Sequence, residues 1–172
     1  MMNIKPKQYV CSDHHFGQES FYKYNEKRQT VLRPEFSCAE EADAEIVYRH
    51  NTIVPEFGST VYFLGDIAKN ITKAEYYISQ MHGERKILIA GNHDSKYVSA
   101  KLLRLFDKIL GCMYLGKKDL VLTHMPVHPA ELFGSINLHG HLHRTILQDA
   151  RYLNCCLEPN NYYPLSLDKI FC

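Results

Sequence analysis

Five short apolar runs in this chain end in the same way. YVCSD (9–13), TVYFLGD (60–66), RKILIAGN (85–92), DLVLTH (119–124) and INLHGH (136–141) each close on a carboxylate, a carboxamide or an imidazole. Apolar runs of this length, bounded by turn residues, are buried strands. Helical patterns lie between them, so the chain is expected to be an α/β protein. Binding sites in layered α/β folds gather beyond the strand ends. Strand tips that all carry ligand-type side chains are therefore expected to converge.

The intervening helices are signalled by their first turns. Ser37 and Glu40 make an S-x-x-E capping box ahead of Ala42, Ile46 and Ile53. Thr72 and Glu75 make a second, for a helix whose Ala74, Tyr77, Ile78 and Met81 share one face. Ser95 is expected to cap a third helix, with Val98, Leu102 and Leu105 facing inward. RYLNCCLEP (151–159) is predicted as the last strand, and the tail NYYPLSLDKIF is expected to pack over an edge. Residues 16–36 are the least regular. Lys23, Lys27, Arg28 and Arg33 stand there against Glu19, Glu26 and Glu35, which is no stripe for a polyanion.

A length of 172 residues suits one domain, 1–172, with a real core. The net charge of +1 argues against strong binding of long nucleic acid, but leaves room for a small phosphorylated substrate. No run approaches the ~18 apolar residues of a membrane span, and the N-terminus does not resemble a signal peptide. A cytoplasmic protein without membrane contact is expected. The six cysteines form no CxxC pair and are read as reduced and mostly buried.

The densest signal is LHGHLH (138–143), with His139, His141 and His143 at alternate positions. On a strand these three share a face. Three buried imidazoles are hard to satisfy with hydrogen bonds alone, and a metal is the other explanation. A lone histidine is more often a core residue than a ligand. Here Asp13 and His15, Asp66, Asn92 with His93 and Asp94, His124, and His141 with His143 each follow a strand-like run.

The series D-x-H, GD, GNHD, H and GHxH, in this order over residues 13–143, resembles the calcineurin-like metallophosphoesterase superfamily. Asn154 and Glu158 in N-x-x-x-E, with Tyr162, Pro164 and Leu167 in Y-x-P-x-x-L, are similar to its small, uncapped bacterial and phage-type members. The resemblance implies a four-layer αββα sandwich, two mixed sheets flanked by helices, with two metal ions at the strand ends. It implies that Asp13, His15 and His143 hold one ion, that Asn92, His124 and His141 hold the other, and that Asp66 bridges both. His139, His14 and Gly140 are then not ligands. Gly140 lets the backbone pass close to the site, and His128 is left between a loop role near substrate and a scaffold role.

Imidazole and carboxylate ligands favour Mn, Fe, Co, Ni or Zn over Mg or Ca, with Mn placed first. The absence of thiolate from the set argues against structural zinc. Two divalent ions with two carboxylates leave the site at about +2, suited to a phosphate ester and a hydroxide. The implied activity is hydrolysis of phosphodiesters, with monoesters also open, through in-line attack by a hydroxide bridging the metals. His93 is expected to stabilise the transition state or protonate the leaving oxygen, with Asp94 holding its ring. Arg33 is a candidate phosphate contact. A small phosphate ester, nucleotides included, is the expected substrate. The alternatives are a metal-binding scaffold of the same fold that acts through protein contacts, and a nuclease. The GNHD histidine favours an enzyme over the scaffold. One departure from the pattern is Gln18, where similar small members carry histidine.

Overall fold

The computed structural model of the chain describes residues 6–97 and 101–170. Val98, expected to face inward from a third helix, lies outside the described residues.

Two mixed sheets form the frame. The first has the order β4-β3-β2-β1-β9, built from β1 (Lys7–Cys11), β2 (Ser59–Phe63), β3 (Arg85–Ile89), β4 (Lys108–Leu110) and β9 (Leu165–Ser166). β1, β2, β3 and β4 pair in parallel, and β9 joins β1 antiparallel. The second has the order β5-β6-β7-β8, built from β5 (Cys112–Leu115), β6 (Leu120–Thr123), β7 (Ile136–His139) and β8 (Tyr152–Asn154). Here β6, β7 and β8 pair in parallel and β5 is antiparallel.

Side-chain alternation explains how the sheets pack. Tyr9, Cys11, Val61, Phe63 and Leu88 point from the first sheet into a core shared with the helices α1 (Ala39–Ile53) and α2 (Ile71–Ile78). Val10, Tyr62, Ile87 and Ile89 point the other way, onto Leu120, Leu122 and Leu138 of the second sheet. All five residues of β2 are buried, as a strand covered on both faces requires. The helical cover is uneven. After the short α3 (Leu102–Leu105), the remaining described elements are strands and 3-10 turns. No described helix is long and apolar enough to cross a membrane.

The helix starts differ from those expected. Asn70, not Thr72, caps α2, its side chain accepting from the Lys73 amide at 3.0 Å. At α1 the Ser37 amide and hydroxyl donate to Glu41 rather than Glu40. β8 is not the last strand. The tail does cover an edge, as β9, and extends the first sheet there.

Parallel pairing matters most for function, because it sends several strand tips out at one end. Cys11 is level with Phe63, and Phe63 with Leu88, so the residues that follow them share a rim. In the second sheet Leu122 is level with Leu138, which brings His124 beside Gly140. Short backbone bonds knit the rim together: Asp13 N to Gly65 O and His15 N to Asp66 O, both 3.0 Å, and Gly140 N to His124 O, 2.8 Å.

Candidate metal centre

At this rim two groups of side chains converge. Asp13, His15 and His143 form one; Asp66, His124 and His141 form the other. Within each group the ligand atoms lie within 4.8 Å of one another. Asp66 Oδ2 stands between them, 3.5 Å from His15 Nε2 and 3.4 Å from His124 Nε2. Asn92 Oδ1 is 3.0 Å from His124 Nε2, beside the second group. All seven residues expected as ligands are thus brought to one place.

The backbone is bent to do this. Asp13, His15, Asp66, His141 and His143 all have positive φ, between 48° and 70°. That conformation costs a residue with a β-carbon roughly 1–2 kcal/mol, and clustering of such outliers is a mark of a functional site. Close approach also fixes the neighbouring glycines. A β-carbon on Gly91 would collide with Asp66 Oδ1, and one on Gly140 with Ser12 Oγ and Asp13 Oδ2.

The donor set fits divalent cations on two counts. First, Asp13 Oδ1 and His15 Nε2 are buried without a hydrogen-bond partner among the described residues, and they face each other at 3.5 Å. An unpartnered buried polar atom costs about 1–3 kcal/mol. Both are atoms that would bind a cation. Second, the ligand rings are fixed from behind. His124 Nδ1 lies 2.7 Å from Leu64 O, and His143 Nδ1 lies 3.1 Å from Glu158 Oε1. A proton on each Nδ1 leaves Nε2 free as the ligand atom, the usual arrangement of a metal-binding histidine.

Charge is distributed unevenly. Burial opposes the charge on Asp13, yet the imidazoles of His15, His143 and His124 hold its carboxyl well below the usual range. Burial also opposes charge on His124, but Asp66 and Asp13 outweigh it and lift this ring to about 9. His15 and His141 shift down, burial being the first cause in each. Glu158 is held at about 2 against the effect of burial, chiefly by Arg33.

His93 is half-exposed, with Nε2 3.9 Å from Asp66 Oδ2 and its ring 5.1 Å from that of His15. It thus lies beside the shared carboxylate and the first group. Asp94 was expected to hold the His93 ring. Its oxygens accept the amides of Asp66, Ile67 and Gly91, at 2.8–2.9 Å, so it clamps two strand tips together.

Arg33 corrects the expectation of a phosphate contact. Its side chain is fully buried, with Nε 2.9 Å from Glu158 Oε1, and it reaches no solvent-facing ligand. His14 packs between Phe16 and Phe63 and is pushed to about 3, first by burial. His139 is buried within β7, off the ligand set. His128 caps a 3-10 turn, its Nδ1 accepting from Ala130 N. Gln18 bonds Ser20.

Four residues behind the ligands carry roles that sequence reasoning did not assign. Ser12 Oγ donates to Asp13 Oδ2 at 2.6 Å, and Cys156 Sγ lies 3.3 Å from the same oxygen. Asn154 Nδ2 donates to His143 O at 2.8 Å, and Glu158 takes the His143 ring. The N-x-x-x-E spacing was the one signal for the last two. Beside His141 and His143 opens a groove of about 420 Å³, walled in part by Arg28, Val31, Leu32 and Leu142.

No protein-family model matches the sequence, and no curated protein does. The structure is similar to that of AQ665 from Aquifex aeolicus, a protein of unknown function. The TM-score is 0.68 at 23% identity, over 96% of this chain and 97% of that one. It is also similar to the Pseudomonas putida nuclease MPE, with a TM-score of 0.51 at 17% identity, over 79% of this chain and 61% of that one. At these identities the likeness concerns the fold.

Proposed function

We propose that this chain is a calcineurin-like metallophosphoesterase that hydrolyses small phosphodiesters, and monoesters as a second class, with two divalent transition-metal ions, manganese first among them. The observation that carries this reading is the position of Asp66 Oδ2, within 3.5 Å of an imidazole from each ligand group. A carboxylate so placed would be shared by cations held in the two groups. The ions would supply Lewis acidity to the phosphoryl oxygens and a water acidified enough to attack at neutral pH.

The chain's own groups do the rest. Asp13 and Asp66 offset part of the ionic charge and leave the centre positive toward a phosphate ester. His93, half-exposed and 3.9 Å from Asp66 Oδ2, would donate a hydrogen bond to the phosphoryl group or a proton to the leaving oxygen. The groove beside His141 and His143 has room for the non-reacting part of a nucleotide-sized ester, with exposed Arg28 on its wall.

The nuclease is the second reading, and it is favoured by the fold shared with MPE. A net charge of +1 counts against a long polyanion. Protein stripped of metal and reloaded with Mn²⁺ should bind two ions and cleave a chromogenic phosphodiester, and chelation should abolish the activity. Activity that survives full demetallation would overturn the reading. A large preference for polymeric DNA or RNA in the same assay would select the nuclease. Two bound ions with no turnover on any phosphate ester would select the scaffold.

A further inference from the structure

We infer that Arg33 and Glu158 form a buried positioning pair that holds all three ligands of the Asp13–His15–His143 group, and that this group's metal affinity depends on the pair while the other group's does not. The inference rests on the two-metal reading above and assigns residues that lie outside the ligand set.

The geometry is specific. The Arg33 guanidinium is fully buried and uses three nitrogens: Nε to Glu158 Oε1 at 2.9 Å, Nη1 to His14 O at 2.9 Å and Nη2 to Asp13 O at 2.6 Å. Those two carbonyls flank the left-handed turns of Asp13 (φ 61°) and His15 (φ 51°). One planar fork thus pins the strained backbone that presents two ligands. The same Glu158 oxygen faces His143 Nδ1 at 3.1 Å and so orients the third. Asn154, four residues earlier, holds the carbonyl of His143 at 2.8 Å. Phe21 and Tyr162 lie against the guanidinium, with ring centroids 5.2 and 5.8 Å away, and close the pair off.

A salt bridge that merely ties residues 16–36 to the C-terminal part would leave metal binding untouched when replaced. A positioning pair fixes the His143 tautomer, with the proton on Nδ1 and the lone pair on Nε2, turned toward Asp13 Oδ1 at 3.8 Å. In the second group His124 is oriented by a backbone carbonyl, that of Leu64, and not by this pair. Loss of a partner that orients a metal-bound histidine typically costs 10–100-fold in affinity.

The test is calorimetric titration with MnCl₂, alongside thermal unfolding. His141→Ala leaves the first group as the intact one, and His143→Ala leaves the second. Adding Glu158→Gln to each should weaken Mn²⁺ about 10–100-fold in the His141→Ala background and by less than about threefold in the His143→Ala background. Glu158→Gln leaves Arg33 charged and buried, which endangers folding. The double replacement Arg33→Met with Glu158→Leu removes both charges and is the variant expected to stay folded; it should show the same selective loss. Equal affinities in folded protein with and without the pair would overturn the inference and leave the two-metal reading standing. Wild-type protein that binds no Mn²⁺ would overturn both. Nitrogen-15 spectra of the metal-free wild type, needing no pair variant, should show the His143 proton on Nδ1. A proton on Nε2 alone would also overturn the inference.

Discussion

The Asp13–His15–His143 group and the Asp66–His124–His141 group face each other across one carboxylate oxygen, but different means hold them in place. The first is set by side chains, most of them distant in sequence: Arg33, Glu158, Asn154 and Cys156, with Ser12 next to Asp13 as the local one. The second is set mainly by backbone groups of the strand tips, gathered by one side chain, Asp94. Leu64 O fixes His124, Asp94 gathers three amides around Asp66, and Gly65 and Gly91 let the two tips touch. Side-chain supports can be changed one at a time, whereas backbone supports come with the fold. The first group is therefore the place where substitution can tune the centre, and the second is the place where it breaks the sheet rim.

The shared carboxylate should give the largest effect. Asp66→Asn keeps an acceptor for the His93 amide, now 2.8 Å from Oδ1, but removes the charge between the groups. Both ions should be lost or severely weakened, and turnover with them. Metal analysis beside a rate measurement checks this. One ion retained at wild-type affinity would show that the groups are independent.

His93 belongs to neither group and should separate chemistry from metal binding. His93→Ala leaves its backbone amide on Asp66 and removes only the half-exposed ring. Two ions should remain, and turnover should fall ~10²–10⁴-fold, the usual contribution of a positioned acid or base. Wild-type rates on the best substrate would remove His93 from the mechanism.

The groups should also differ in their response to pH. In the metal-free protein His124 is lifted from 6.5 to about 9 by Asp66 and Asp13. The stability it contributes is full below about 6.5 and is lost as pH rises through 9. A cation at the second group must displace that proton, so Mn²⁺ affinity there should rise about tenfold per pH unit between 6.5 and 9. Burial shifts His15 down where His124 is shifted up, so the first group should respond less. Titrations of His143→Ala and His141→Ala at pH 6.5, 7.5 and 8.5 isolate the two slopes. Equal slopes would remove this difference.

The ligands were legible because each follows its own apolar run, and parallel pairing makes such tips converge whatever the loops do. The supports of the first group were not, because their signal is long-range. Arg33 sits among exposed charges in an irregular segment and reads as a surface cation. Only Glu158, 125 positions away, makes it a buried one. Asp94 reads as a partner for its neighbour His93, and its clamp on amides from two strand tips is a further role that only the fold reveals. β4 and β5 were missed because KIL and CMYL are short edge strands with little periodicity. None of the three expected helix caps falls where expected: Thr72 misses by two residues at α2, Ser37 by one at α1, and Ser95 lies inside a 3-10 turn, since Ser, Thr, Asn and Glu offer several local solutions.

The smallest effect is the sharpest test of how local these supports are. Cys155 and Cys156 are adjacent and both buried, but they face different surroundings. Cys155 lies in the apolar layer between the sheets, its Sγ 3.6 Å from Leu153 O. Cys156 Sγ lies 3.3 Å from Asp13 Oδ2, and burial, then the charge of Asp13, push its thiol pKa far up, so it stays protonated as a donor. It is the weakest of three donors to that oxygen, beside Ser12 Oγ at 2.6 Å and the His141 amide at 2.8 Å. Losing a weak hydrogen bond of about 0.5–1 kcal/mol corresponds to a change of about two- to fivefold. Cys156→Ala should lower Mn²⁺ affinity by that factor in the His141→Ala background and leave it unchanged in the His143→Ala background. Cys155→Ala should lower the melting temperature and leave both affinities alone. If the two alanine variants behave alike toward Mn²⁺, the supports of the first group are not local to Asp13, and the contrast between a side-chain-built half and a backbone-built half fails at its finest point.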